Sequence, residues 1–130
     1  RQPMADAQFL LAENYGKGLL CLSVDHGKAF ALYVQASKQN HPIATYRAAV
    51  CYEVGAGTKR DNYRAVQFYR KAAALGETLA MHKVALILLY GKMNQRKNLK
   101  EGITWLKRAA NQADQEHPES LHDLAQCYEK

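Results

Sequence analysis

The stretch that decides the fold is Ala44–Gly55, ATYRAAVCYEVG, because it recurs as Ala80–Gly91, AMHKVALILLYG, and as Ala7–Gly18, AQFLLAENYGKG. Aligned on Ala7, Ala44, Ala80 and Ser120, the copies stack Ala12, Ala49, Ala85 and Ala125 five residues in. One residue earlier they stack Leu11, Ala48, Val84 and Leu124, and eight residues in Tyr15, Tyr52, Leu88 and Tyr128. Gly18, Gly55 and Gly91 close three of the copies. On a helical wheel of about 100° per residue the repeated positions fall on one apolar stripe bordered by alanine, where a small side chain lets a neighbouring helix approach closely. A terminal glycine is the usual left-handed stop of such a helix.

A second half of each copy follows. Asp25, Asp61 and Asn98 each stand four residues before Ala29, Ala65 and Gly102. A short carboxylate or amide there accepts from the free amides of a first helical turn, so each is an expected N-cap. The helices behind them read Phe30, Leu32, Tyr33, Ala36; Val66, Phe68, Tyr69, Ala72; and Ile103, Trp105, Leu106, Ala109. The third of these is expected to run on through Asn111 and Gln112 toward Gln115, with His117-Pro118 marking the next start.

Each unit is thus a helix-turn-helix that cannot bury its apolar face alone and must stack on its neighbours. The expected fold is all-α: a right-handed α-α superhelix, or solenoid, of tetratricopeptide-like repeats forming one domain over residues 1–130. Its units are 5–41, 42–77 and 78–117, with a partial unit at 118–130, and the chain reads as a segment of a longer array.

Composition agrees with this. Nearly half the residues are hydrophobic, with only three prolines among 130, which suits close-packed helices. The longest apolar run, Val84 to Tyr90, falls far short of the roughly 20 residues a bilayer span requires. Cys21, Cys51 and Cys127 are odd in number and widely separated, a pattern of a reducing compartment such as cytosol and not of a disulfide or zinc framework. Cys51 and Cys127 share one offset beside the stripe and read as small hydrophobes; His82 and His122 share the offset of Phe9 and Tyr46.

The repeat A-x3-[LAV]-A-x2-[YL]-x2-G, a loop, then D/N-x3-[AG] and an aromatic-rich helix resembles the Sel-one-like repeat, a relative of the tetratricopeptide repeat. Further residues resemble the fungal activators of chitin synthase III: Ala5-Asp6-Ala7-Gln8-Phe9-Leu10-Leu11-Ala12, Tyr46-Arg47 with Cys51-Tyr52-Glu53, Gly55-x-Gly57-Thr58, and Gly102-Ile103-x-Trp105-Leu106-x-Arg108-Ala109. The resemblance implies a scaffold that recruits and switches on a membrane-embedded chitin synthase, with a septin-linked tether as a second partner. It also implies a cytoplasmic location peripheral to the plasma membrane at the bud neck or septum. The catalytic chemistry would belong to the partner, and no cofactor is implied.

Among the His, Cys and carboxylate residues no catalytic or metal-binding spacing emerges. The candidate binding face is the side of each first helix that the stripe does not use: Tyr46, Arg47, Val50 and Glu53 in the second unit, and His82, Lys83, Leu86 and Leu89 in the third. Mixed aromatic, aliphatic and cationic groups compose protein-binding patches. The alternative is that Val50, Leu86 and Leu89 pack on the facing helix of their own unit. On the binding reading, removing Tyr46 and Leu86 weakens a partner and leaves melting unchanged.

The net charge of +6 is densest at Lys59 and Arg60 and at Lys92, Arg96, Lys97 and Lys100, all in expected loops. Such clusters are most simply solvated loops; an anionic lipid surface near a membrane-bound partner and nucleic acid are the alternatives, nucleic acid the weaker because no aromatic-basic groove or reading helix accompanies the charge. Three functional classes remain open on sequence: a chitin synthase activator, a general repeat adaptor in complex assembly or quality control, and a lipid- or nucleic-acid-binding module.

Overall fold

A computed structural model describes residues 3–17 and 24–116, with side chains through Gln112. Six helices follow in order: α1 (Pro3–Lys17), α2 (His26–Lys38), α3 (Pro42–Val54), α4 (Asn62–Ala74), α5 (Thr78–Tyr90) and α6 (Leu99–Glu116), and the described residues hold no strand. Each helix packs on the next, pairing α1 with α2, α3 with α4 and α5 with α6 into hairpins that stack in sequence.

The three N-caps form as their residue types dictate. Asp25 Oδ1 accepts from the Lys28 amide at 2.9 Å, Asp61 Oδ1 from Arg64 at 3.1 Å and Asn98 Oδ1 from Glu101 at 3.0 Å. Each capping residue also closes its hairpin loop, its amide donating to Tyr15 O, Tyr52 O or Leu88 O respectively. The same bond therefore recurs at the same repeat position in all three units. Gly55 and Gly91 end α3 and α5 in the left-handed region, at φ 78° and 65°.

The turns between units use other devices. Glu77 caps α5 through its carboxylate, and His41 caps α3 through Nδ1, 3.1 Å from the Ala44 amide, with Pro42 at the first helical position. Accepting at Nδ1 leaves Nε2 as the donor of the ring, and Nε2 lies 3.1 Å from Asp6 Oδ1. The buried imidazole also stacks on Phe9 at 4.8 Å between centroids.

The core is built largely from alanine and aromatic rings. One cluster joins the first two units through Ala12, Ala29, Tyr33, Ala36, Ala44 and Ala48, and a second joins the second and third through Tyr52, Val66, Tyr69, Ala80, Val84 and Ile87. Phe30 and Phe68 pack against both clusters and make the stack continuous.

One expectation about the stripe fails in the first unit. Ala7 is exposed and Leu11 is 41% exposed, whereas their counterparts Ala44, Ala48, Ala80 and Val84 are buried. Those offsets face the preceding unit: Ala44 and Ala48 belong to the cluster with α1 and α2, and Ala80 and Val84 to the cluster with α4. Among the described residues nothing precedes α1, so its equivalent surface meets solvent.

α6 extends over 18 residues, as expected. Its Gln112 reaches back to the α4–α5 turn, donating through Nε2 to Gly76 O and to Thr78 Oγ1. The predicted partial unit 118–130 lies outside the described residues, as do Cys21, His117, His122, Cys127 and the leading glycine Gly18.

Candidate protein-binding surface

Two polar junctions of the same composition tie successive units together. At the first, the Tyr33 hydroxyl on α2 donates to Glu13 Oε1 on α1 at 2.5 Å, and Arg47 Nε on α3 donates to the same oxygen at 3.1 Å. At the second, the Tyr69 hydroxyl on α4 donates to Glu53 Oε1 on α3 at 2.5 Å, and Lys83 Nζ on α5 donates to Glu53 Oε2 at 3.1 Å. Each junction takes a carboxylate and a tyrosine from one unit and a cation from the next. Tyr33 and Tyr69, like Arg47 and Lys83, lie 36 residues apart. The third unit has Leu106 at the tyrosine position and Leu89 in place of Glu53, so this form of junction does not continue onto α6.

The acidities follow from this wiring. Burial pushes both Glu13 and Glu53 up, but hydrogen bonds from tyrosine and lysine and the charges of Arg47 and Lys83 more than offset it, and both carboxyls titrate below their ordinary value. Burial, then donation to a carboxylate, raises Tyr33 and Tyr69, which therefore stay neutral donors. Cys51, buried beside the first junction, is pushed up to about 11 by loss of solvent, which suits a packing role.

The sequence-derived face can now be placed. Arg47 and Val50 rim a depression of about 230 Å³ between α1, α2 and α3, floored by Glu13, Ala29, Tyr33 and Cys51. Glu53 and Lys83 form the second junction. Tyr46 is half-buried, its ring 5.7 Å from that of Tyr69, and Val50 packs against the same core cluster. Removing the Tyr46 ring therefore touches the core as well as the surface. Leu86 is half-buried and His82 exposed.

Leu89 lies between α5 and α6: a Cβ placed on Gly102 would come 2.9 Å from Leu89 Cγ. Its side chain thus follows the packing alternative, and the absence of a side chain at Gly102 is what lets the two helices close around it. The face brought together by the fold is Tyr46, Arg47, Val50 and Glu53 with His82, Lys83 and Leu86.

The part of Glu13, Tyr33 and Tyr69 in the wiring beneath this surface was not legible. The two tyrosines sit in register and read as packing rings, and the two carboxylates lie 40 residues apart, one turn out of the repeat register, so no alignment of units superposes them. The basic residues Lys59, Arg60, Lys92, Arg96, Lys97 and Lys100 are all exposed. All lie in the α3–α4 and α5–α6 connections except Lys100, which opens α6. Among the described residues no group of three or more His, Cys, Asp or Glu side chains is disposed to hold a metal ion, and no helix is long and apolar enough to cross a membrane.

A stack of helical hairpins joined by repeated caps and polar junctions defines a repeat scaffold of the tetratricopeptide-like class. The Sel1 repeat model matches residues 5–41, 42–77 and 78–114, and the chain belongs to the Sel1 repeat family. It is 39% identical over 125 residues to chitin synthase regulatory factor 3 of Schizosaccharomyces pombe, a match covering 96% of this chain and 13% of that protein. It is 35% identical to chitin synthase regulator SKT5 of Saccharomyces cerevisiae, covering 95% of this chain and 18% of the relative. The chain thus spans a small part of the length of the curated relatives it matches. Its fold is similar to the crystal structure of a Sel1 repeat protein from Oxalobacter formigenes, with a TM-score of 0.79 and 26% identity over 85% of this chain and 44% of that one. The protective antigen c5321 of uropathogenic Escherichia coli is likewise similar, with a TM-score of 0.75 and 25% identity over 92% of this chain and 26% of that one.

Proposed function

We propose that the chain is the gripping scaffold of a chitin synthase regulator: a non-catalytic adaptor whose helix stack binds the synthase catalytic subunit and a septin-linked tether. On this reading it works in the cytoplasm, peripheral to the plasma membrane at the bud neck or septum. The observation that carries the reading is the face on which Arg47 and Lys83 recur one repeat apart, each anchored at its carboxylate, beside half-buried Tyr46 and Leu86 and exposed His82. Cations held by half-buried carboxylates lose little side-chain freedom on binding, and aromatic and aliphatic neighbours supply area to desolvate. The similarity to proteins named as chitin synthase regulators supports the choice of partner.

The test uses purified, detergent-solubilised chitin synthase and the immobilised chain. Wild type is expected to retain the synthase. Arg47→Ala combined with His82→Ala is expected to weaken retention at least tenfold with helicity preserved, as for truncation of central anchors. Failure of the wild-type chain to retain the synthase would sink the choice of partner; full retention by the double variant would sink the choice of face.

A further inference from the structure

Because the helices alternate in direction, the described within-unit loops, between α3 and α4 and between α5 and α6, lie at one edge of the stack, and the turns between units at the other. Contact between loops of different units confirms the shared edge: a Cβ on Gly57, in the α3–α4 loop, would come 2.1 Å from the carbonyl oxygen of His26 at the start of α2. That edge carries exposed Lys59 and Arg60 from one loop and exposed Lys92, Arg96 and Lys97 from the next, with exposed Lys100 in the first turn of α6.

The carboxylates at this edge are fewer than its cations. Asp25 and Asp61 cap α2 and α4, and Glu101 accepts from Arg70 at 2.8 Å and from the Trp105 indole at 3.3 Å. The opposite edge is balanced, Lys38 and Lys71 standing against Asp6 and Glu77. The basic surplus is therefore concentrated on one side of the solenoid.

Large apolar groups are interleaved with those cations. Val54, Tyr63, Tyr90 and Leu99, which flank the two loops, are each about 60% exposed or more: 64%, 67%, 63% and 59%. Lys92 Nζ sits 5.6 Å over the Tyr90 ring. Exposed tyrosine and leucine beside lysine and arginine match the membrane interface, where the rings and aliphatic groups enter the headgroup boundary and the cations meet lipid phosphate and carboxylate. A nucleic-acid backbone would satisfy the cations and leave Val54 and Leu99 in water.

We propose that this loop edge is a docking surface for an anionic lipid bilayer, which would lay the solenoid edge-on against the membrane with its α1–α3–α5 face free for a protein partner. Each basic residue brought to such a surface strengthens partitioning about fivefold at moderate salt. The attraction is screened as the Debye length falls toward about 3 Å in 1 M salt.

Co-sedimentation with vesicles of phosphatidylcholine, alone or with about a third phosphatidylserine, tests this without any synthase, so its outcome is independent of the partner proposed above. The expected result is binding to the phosphatidylserine vesicles only, lost in 1 M salt. Arg96→Gln, Lys97→Gln and Lys100→Gln together should weaken it about a hundredfold, and Tyr90→Ser with Leu99→Ser severalfold. Lys38→Gln, on the far edge, should leave it unchanged. Circular dichroism of every variant verifies that the helices persist. No binding to phosphatidylserine vesicles, equal binding by the triple variant, or tighter binding to duplex RNA or DNA at the same salt would overturn the proposal.

Discussion

Replacing Gly57 by alanine is expected to destabilise the stack far more than the same change at Gly55, although both glycines hold a positive φ, 75° and 78°. The left-handed backbone costs an L residue about 1 kcal/mol at either site. At Gly55 the nearest neighbours of the new methyl lie 3.6 Å away, at Arg60, which is ordinary contact. At Gly57 the methyl would lie 2.1 Å from His26 O, 2.5 Å from its carbonyl carbon and 2.9 Å from the Gly27 amide nitrogen. Those neighbours are backbone and cannot rotate aside. Relief requires the α3–α4 loop to lift off the start of α2, giving up part of the contact between the first two units, a penalty of the size seen for overpacked sites, about 1–3 kcal/mol. Gly57→Ala is thus expected at about 2–4 kcal/mol and Gly55→Ala at about 1 kcal/mol. Urea unfolding followed by circular dichroism measures both; for a chain of this size the difference corresponds to a melting-point gap on the order of 10 °C. Equal losses within about 0.5 kcal/mol would refute the close approach of loop and helix.

Three further expectations concern the junctions. Tyr69 is 1% exposed, and Tyr69→Phe, which removes its donation to Glu53, should cost about 1–2 kcal/mol; coupling to Glu53→Ala, which removes the acceptor, should approach that loss in a double-mutant cycle, and no coupling would mean the two groups do not interact. Glu13 and Glu53 titrate below their ordinary 4.5 in the folded chain, so the stability they contribute is present above that pH and is lost as pH falls through the lowered values. Melting temperature should therefore drop below about pH 4.5, and Glu13→Gln with Glu53→Gln should flatten that decline; an unchanged slope would assign acid sensitivity elsewhere. Cys51, buried with its thiol pushed up from 9.0 to about 11, should resist iodoacetamide at neutral pH until the chain is unfolded, and rapid modification of the native protein at Cys51, located by peptide mapping, would contradict its placement.

The fold was legible because its punctuation is chemical. Asp25, Asp61 and Asn98 are capping side chains standing before alanine- and aromatic-rich helices, Gly55 and Gly91 tolerate the left-handed stop, and the apolar offsets repeat from unit to unit. Position in the stack was not legible: Ala7 and Leu11 occupy the same apolar offsets as buried counterparts, and only the neighbour on which a helix leans decides their exposure. The polar wiring of the face was hidden for a different reason. Tyr33 and Tyr69 spend their rings on packing and their hydroxyls on carboxylates, and a pattern of apolar letters registers the ring alone. Glu13 and Glu53 reach equivalent tyrosines from different turns of their helices, so the equivalence exists in space and not along the chain. His41 is a cap of unusual type, recognisable once its imidazole is seen between Phe9, Asp6 and the Ala44 amide.

On the proposed reading, the exposed side of α1, α3 and α5 is the surface by which the scaffold binds the synthase. Amide hydrogen exchange of the chain with and without purified chitin synthase tests it most directly. Protection is expected to rise over α3 and α5, centred on Tyr46–Val50 and His82–Leu86, with α2 and α4 unchanged. Synthase-dependent protection confined to α6 or to the between-unit turns, or none at saturating synthase, would contradict it.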